Sequence, residues 1–170
     1  MTAAGTLFNV AADGVTFWLE PELPFAARPE VVVVVPCSAG KVDLEFGELR
    51  PVGELYTGAF HTYARRHAER LGADRVLILS AWHGLVPLEH LSGPYDVTID
   101  DGAARAKPGI VRRQAAALGL LDADVVVVSF CPNRYTAVLA EAIPDLVTPL
   151  AGAAGIGDQR GRLNRLTALA

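Results

Sequence analysis

The sequence predicts an α/β fold, a three-layer sandwich with a mainly parallel central sheet. Three observations predict it. The first is a run of five consecutive valines, Val31–Val35, that does not alternate with polar residues, as expected of a strand covered on both faces. The second is the recurrence of such runs at 75–80 and 125–129, each separated from the last by a stretch with helical spacing. Strand, helix, strand, helix, strand is the order that builds a parallel sheet with right-handed crossovers. The third is composition: 51% hydrophobic but only 7% aromatic residues, so Val, Leu and Ala must fill the core, which suits helices packed on a sheet.

Taken in order, residues 15–19 read as a short strand, and Pro21, Pro24 and Pro29 carry the chain extended towards the valine run. Residues 1–29 are expected to form an N-terminal extension packing on a single domain that spans 1–170, because 170 residues suit one core. Pro36 ends the valine strand, since it lacks an N–H for the ladder. A polar loop follows through about Pro51. Phe60, Ala64, Ala68 and Leu71 recur at helical spacing, predicting an amphipathic helix over 57–71 closed by Gly72. A helix over 103–119 is disturbed by Pro108 and Gly109. Asn133 can cap a helix to about Ile143, 146–148 can return as a short strand, and a terminal helix begins near Asp158.

The net charge is −4, yet its distribution is uneven: residues 103–170 carry eight Lys/Arg against five Asp/Glu. A basic face for a phosphate backbone is compatible with this, as is a merely solvated helix surface. Two cysteines, Cys37 and Cys131, make neither a disulfide framework nor a metal knuckle, so the expected compartment is the cytoplasm and no metal or cofactor is predicted. The early residues lack a basic segment followed by a long apolar run, and the valine run is too short to span a bilayer. No membrane association and no obligate protein partner are therefore expected.

In open α/β sheets, ligands bind beyond the carboxyl ends of the strands. Four loops fall there: 36–41 with Cys37, Ser38 and Lys41; 81–84 with Trp82 and His83; 130–133 with Asn133; and 150–159 with Gln159. Cys37 is either a small core residue or a thiol whose ionised form Lys41 favours. Lys41 is either a solvated cation or a group that binds an anionic leaving base or attacks a sugar C1′. His83 is placed to donate to a departing base, or serves structure alone. Asp96 has the best context among the carboxylates, with Asp100 and Asp101 as rivals. Tyr56, Phe60, Trp82 and Tyr95 offer stacking faces for a base, or core packing. Arg160 and Arg162 stand beside the glycines that precede the last helix, where phosphate contacts are favoured.

The motifs Pro36-Cys37-Ser38-x-x-Lys41, Leu55-Tyr56-Thr57, Leu79-Ser80-Ala81-x-His83-Gly84-Leu85 and Pro94-Tyr95-Asp96 resemble, over about residues 30–165, an uncharacterised bacterial domain family. That family is allied to the YaaA stress proteins and the archaeosine synthase core, with a uracil-DNA glycosylase-like fold. Some members resemble anti-phage DNA glycosylases. The resemblance implies a DNA glycosylase that flips out and hydrolytically excises a modified base, plausibly from phage DNA as an antiviral defence, with DNA as partner. Asp96, His83 and Lys41 are the expected catalytic set. Cys37, Ser38, Tyr56, Phe60, Trp82, Tyr95, Asn133 and Gln159 are expected to bind substrate, and Arg160 and Arg162 to bind DNA phosphate. The archaeosine synthase motif matches at Pro36, Cys37, Ser38 and Lys41 and departs at Val42 and Asp43. Two alternatives stand beside this reading: an N-glycosidase or base-exchange enzyme on nucleotides or 7-deazaguanine tRNA, and a non-catalytic nucleic-acid-binding stress protein.

Overall fold

The computed structural model describes residues 5–11, 14–20 and 28–168, the first two stretches as backbone alone. Strands β1 (Gly5–Ala11) and β2 (Gly14–Glu20) pair antiparallel, with Gly5 opposite Glu20. The strand expected at 15–19 is therefore β2, and β1 was not expected. The extended course through Pro21 and Pro24 lies outside the described residues.

The valine run forms β3 (Glu30–Pro36), an inner strand of the central sheet. It is flanked in parallel by β5 (Arg75–Ser80) and β8 (Val125–Ser129). A parallel bridge from Val128 to Val147 extends the sheet past β8, at the position expected for a returning strand. The valines divide between two cores because successive strand residues face opposite ways. Val31, Val33 and Val35 pack with Ala64 and Ala68 of α2 (Ala59–Arg70) and with Leu163 and Leu166 of α5 (Ile156–Thr167). Val32 and Val34 pack with Val111 and Ala115 of α3 (Pro108–Ala117) and with Leu139 and Ala142 of α4 (Asn133–Ala142). Helices thus cover both faces, which gives the three layers.

Three local expectations need correction. Pro108 does not disturb a helix over 103–119 but opens one, at the first turn, where the missing N–H costs nothing. Asn133 is not a cap: Pro132 holds that position, and no side-chain capping bond forms. The loop expected through about Pro51 ends in β4 (Arg50–Pro51), and the short α1 (Val52–Leu55), which was not expected, follows it with Val52 and Leu55 fully buried. Strand β6 (Gly84–Pro87) turns back antiparallel against β5, so the sheet is mainly and not wholly parallel. A small ladder joins β4 to β7 (Leu91–Ser92).

Four long helices begin at the same edge of the sheet. Helix α2 starts where the Gly58 N–H donates to Ser38 Oγ, just past the end of β3. Helix α4 starts just after β8. The approach to α3 is held by N–H donation from Arg105 and Ala106 to the Ala81 carbonyl, beyond β5. Helix α5 runs parallel to α2, since Tyr63 donates to the Arg160 carbonyl while His67 contacts Thr167. Their amide dipoles leave a positive potential at that edge, the one that would receive an anionic ligand.

Candidate functional site

Most of the singled-out residues meet at this edge. The Pro36–Lys41 loop is fixed first. Ser38 Oγ accepts from Gly58 N–H and donates to the Gly40 carbonyl, so its hydroxyl positions the loop and has no further hydrogen to offer a substrate. A Cβ on Gly58 would overlap the Ser38 side chain, which is why α2 can begin this close only with glycine there. Cys37 lies half-buried with Sγ 3.3 Å from the Tyr135 hydroxyl. Cys131 is fully buried, contacts the Val34 carbonyl, and has its thiol pKa pushed up by burial; it belongs to the core.

Lys41 is clamped from both sides. Its backbone bridges to Tyr56, and Nζ donates to the carbonyls of Ser38 at 3.3 Å and Ala39 at 3.4 Å. An ammonium has three donors, so one remains. Nζ also stands 4.2 Å from the centre of the Tyr95 ring, a cation–π contact. Burial lowers the Lys41 pKa from its usual range, and nearby Cys37 and Asp96 partly restore it.

Asp96 is exposed and, unlike its rivals, makes no hydrogen bond or ion pair among the described residues. Asp100 is paired with Arg134, and Asp101 accepts from the Thr98 N–H. Of these three carboxylates, Asp96 is the one without a partner among the described residues.

A line of hydroxyls runs beneath. Ser80 Oγ accepts from the N–H groups of Trp82 at 3.2 Å and His83 at 3.0 Å. With both lone pairs taken, its own hydrogen donates to Tyr95, 2.7 Å away, and Tyr95 in turn donates to Tyr56 at 2.7 Å. The Tyr56 hydrogen is then the free end of the chain. Burial raises the pKa of both tyrosines, so both stay protonated at neutral pH. Neither Ser80 nor Tyr135 was expected at the site: Ser80 stood in the motif around His83 without an assigned role, and Tyr135 had only its place shortly after the end of β8 as a signal.

His83 is committed differently from expectation. Nε2 lies 2.7 Å from Ser92 Oγ, and Nδ1 lies 3.2 Å from Nε2 of His90. Ser92 donates to the Gly93 carbonyl, so Nε2 carries the proton and His90 supplies the hydrogen to Nδ1. With both nitrogens engaged, His83 orients the 80–92 segment and is not free to donate to a base. Burial, followed by the charges of His90 and Arg105, lowers its pKa to about 4. Burial also lowers those of His61 and His67. The unfolded chain therefore takes up protons near pH 6.5 while the folded one resists until about 4. Stability is expected to be complete above that window and to fall as pH drops through it. Because the His83 ring is partly wetted, its slope should reach about 1 kcal/mol per pH unit at most. Thermal melts across the window would check this, with His83→Asn giving a flatter slope.

The remaining expected residues are scattered. Tyr56 is buried and Phe60 packs against the core, which leaves Trp82 and Tyr95, with ring centres 6.3 Å apart, as the stacking faces. Arg105 lies over Trp82. Asn133 is exposed at the start of α4. Gln159 is buried with Oε1 unpartnered. Arg160 lies over Tyr63, and Arg162 is bound to the Ala151 carbonyl and paired with Asp158, so Arg162 is less available to a phosphate than expected.

Among the described residues, no group of three or more His, Cys, Asp or Glu is placed to hold a metal ion, and no helix is long and apolar enough to cross a membrane. A concavity of about 390 Å³ lies elsewhere, against the first residues of β8 and Pro144. Its titratable residues, Asp122 and Asp145, are exposed, and it lacks the paired groups found at the loop cluster.

The chain is 31% identical over 140 residues to the uncharacterized protein YfjM of Bacillus subtilis strain 168, covering 78% of this chain and 91% of that one. A family model matches residues 32–165, from the second valine of β3 into α5, and so takes in every residue of the loop cluster. By that match the chain belongs to the family of unknown function DUF6884.

Proposed function

We propose that the protein is an N-glycosidase, a DNA glycosylase that removes a modified base, with the uracil-DNA glycosylase-like arrangement that its motifs resemble. The observation that carries this reading is the pairing of Lys41, held over Tyr95 with one N–H to spare, with the uncommitted carboxylate of Asp96, at the edge where four helices begin. Hydrolysis breaks the C1′–N bond as a water oxygen bonds to C1′. The base leaves with the bonding electrons, and the water gives up a proton. Asp96 accepts that proton and steadies the positive charge on the sugar, while Lys41 donates to the departing base. Trp82 and Tyr95 stack the base, and the helix N-termini hold flanking phosphates. Modified DNA in phage genomes is the substrate that a defence role would require.

The test is base release from genomic DNAs of differing modification, read as alkali-labile strand breaks. Breaks confined to one modified DNA and lost with Asp96→Asn are expected. Release from tRNA or mononucleotides, with none from any DNA, would sink the DNA reading.

A further inference from the structure

On the outward flank of α2 lies a second concavity of about 330 Å³, within the size range of small-ligand pockets. Gly53, Tyr56, His61, Arg65, Arg66 and Glu69 line it. His61 is 2% exposed. Its Nδ1 lies 2.7 Å from the Pro36 carbonyl, and a carbonyl only accepts, so the proton is on Nδ1 and Nε2 carries a lone pair. Nε2, on the other side of the ring, is buried without a partner. A buried acceptor left unpaired is costly and calls for an explanation. The cations beside it limit what that explanation can be. Arg65 donates to the Gly53 carbonyl and pairs with Glu69 at 3.4 Å, which leaves further guanidinium donors. Arg66 is exposed and has no ion pair among the described residues. Two guanidiniums repel a metal ion and attract an anion, while the imidazole asks that anion for a hydrogen.

The geometry points to a binding site for a phosphate monoester. Such a group is an anion that can still carry a P–OH near neutral pH. Its P–OH donates to His61 Nε2 while its other oxygens accept from Arg65 and Arg66. A phosphodiester has no such hydrogen and leaves Nε2 unpaired, so the internal backbone of a nucleic acid is a poor match, whereas a mononucleotide, a sugar phosphate or a 5′-phosphorylated strand end fits. The site goes beyond the proposed excision chemistry, and its test measures binding alone, so either can fail without the other.

The intact protein is titrated with methyl phosphate and with dimethyl phosphate while the His61 ring nitrogens are followed by NMR. Methyl phosphate is expected to shift Nε2 saturably, and dimethyl phosphate to leave it unmoved. Arg66→Ala, at an exposed position, should weaken binding about fivefold, the loss of one charged contact. His61→Asn keeps a donor for the Pro36 carbonyl and should abolish binding; if that variant does not fold, Arg66→Ala decides. A 5′-phosphorylated oligonucleotide compared with its unphosphorylated form separates a strand end from a free metabolite. Equal binding of both phosphate esters, an unmoved His61, or unchanged affinity in Arg66→Ala would each overturn the assignment.

Discussion

Replacing Lys41 with Met is expected to cut base release by about 10²- to 10⁴-fold, the contribution typical of a positioned proton donor, while leaving the fold intact. Methionine keeps most of the apolar stem and gives up the ammonium, with its two donations to Ser38 and Ala39 and its contact with the Tyr95 ring. Lys41→Arg should recover little, because a planar guanidinium cannot sit as a point donor in a clamp shaped by two carbonyls. The pH profile offers a second check. In the proposed chemistry charged Lys41 is the working form, and its pKa is lowered by burial, so activity should decline on the alkaline side before pH reaches the value of a free lysine. Equal turnover in wild type and Lys41→Met, measured on the same modified DNA, would remove Lys41 from the chemistry.

Gly84→Ala is expected to destabilise the protein by about 2–5 kcal/mol. Two costs add. Gly84 has φ +77°, where an L side chain costs roughly 1–2 kcal/mol, and a Cβ there would overlap the Gln114 amide, adding about 1–3 kcal/mol of overpacking. Gln114 cannot move away freely, because its Oε1 accepts from Leu85 N–H at 2.8 Å while its Nε2 donates to the His83 carbonyl at 2.8 Å. Denaturant titration would measure the loss. In a double-mutant cycle, Gly84→Ala should cost less in a Gln114→Ala background than in the wild type, since the overlap is then gone.

The layers of this fold were legible because a buried parallel strand writes itself as an unbroken apolar run, and Val31–Val35 does so plainly. Strand β6 was not legible. Gly84–Pro87 is short, is interrupted by proline and follows β5 after only three residues, so it resembles the continuation of a loop. That Cys37, Lys41, His83 and Asp96 gather in one candidate site was legible from chain order, since all follow strands or their turns. Roles were not. That His83 has no free nitrogen depends on Ser92 and His90, and that Asp96 is the unengaged carboxylate depends on Arg134 taking Asp100 and the Thr98 amide taking Asp101. Such commitments are made in three dimensions between residues whose spacing carries no period. The glycine at 58 was silent for the same reason: its need arises from the approach of Ser38, far from it along the chain.

The minor ladder between Arg50–Pro51 and Leu91–Ser92 has a mechanical meaning. Val52 and Gly53 donate to the His90 and Leu88 carbonyls, Val42 donates to that of Leu55, and Thr57 to that of Gly40. The segment bearing Lys41 and the segment bearing Asp96 are thereby stitched into one fabric, and neither can open without loosening the other. A ligand that orders one of them meets the second already in place, so the entropy of assembling the two proposed reacting groups is spent once, during folding, and not again at each encounter.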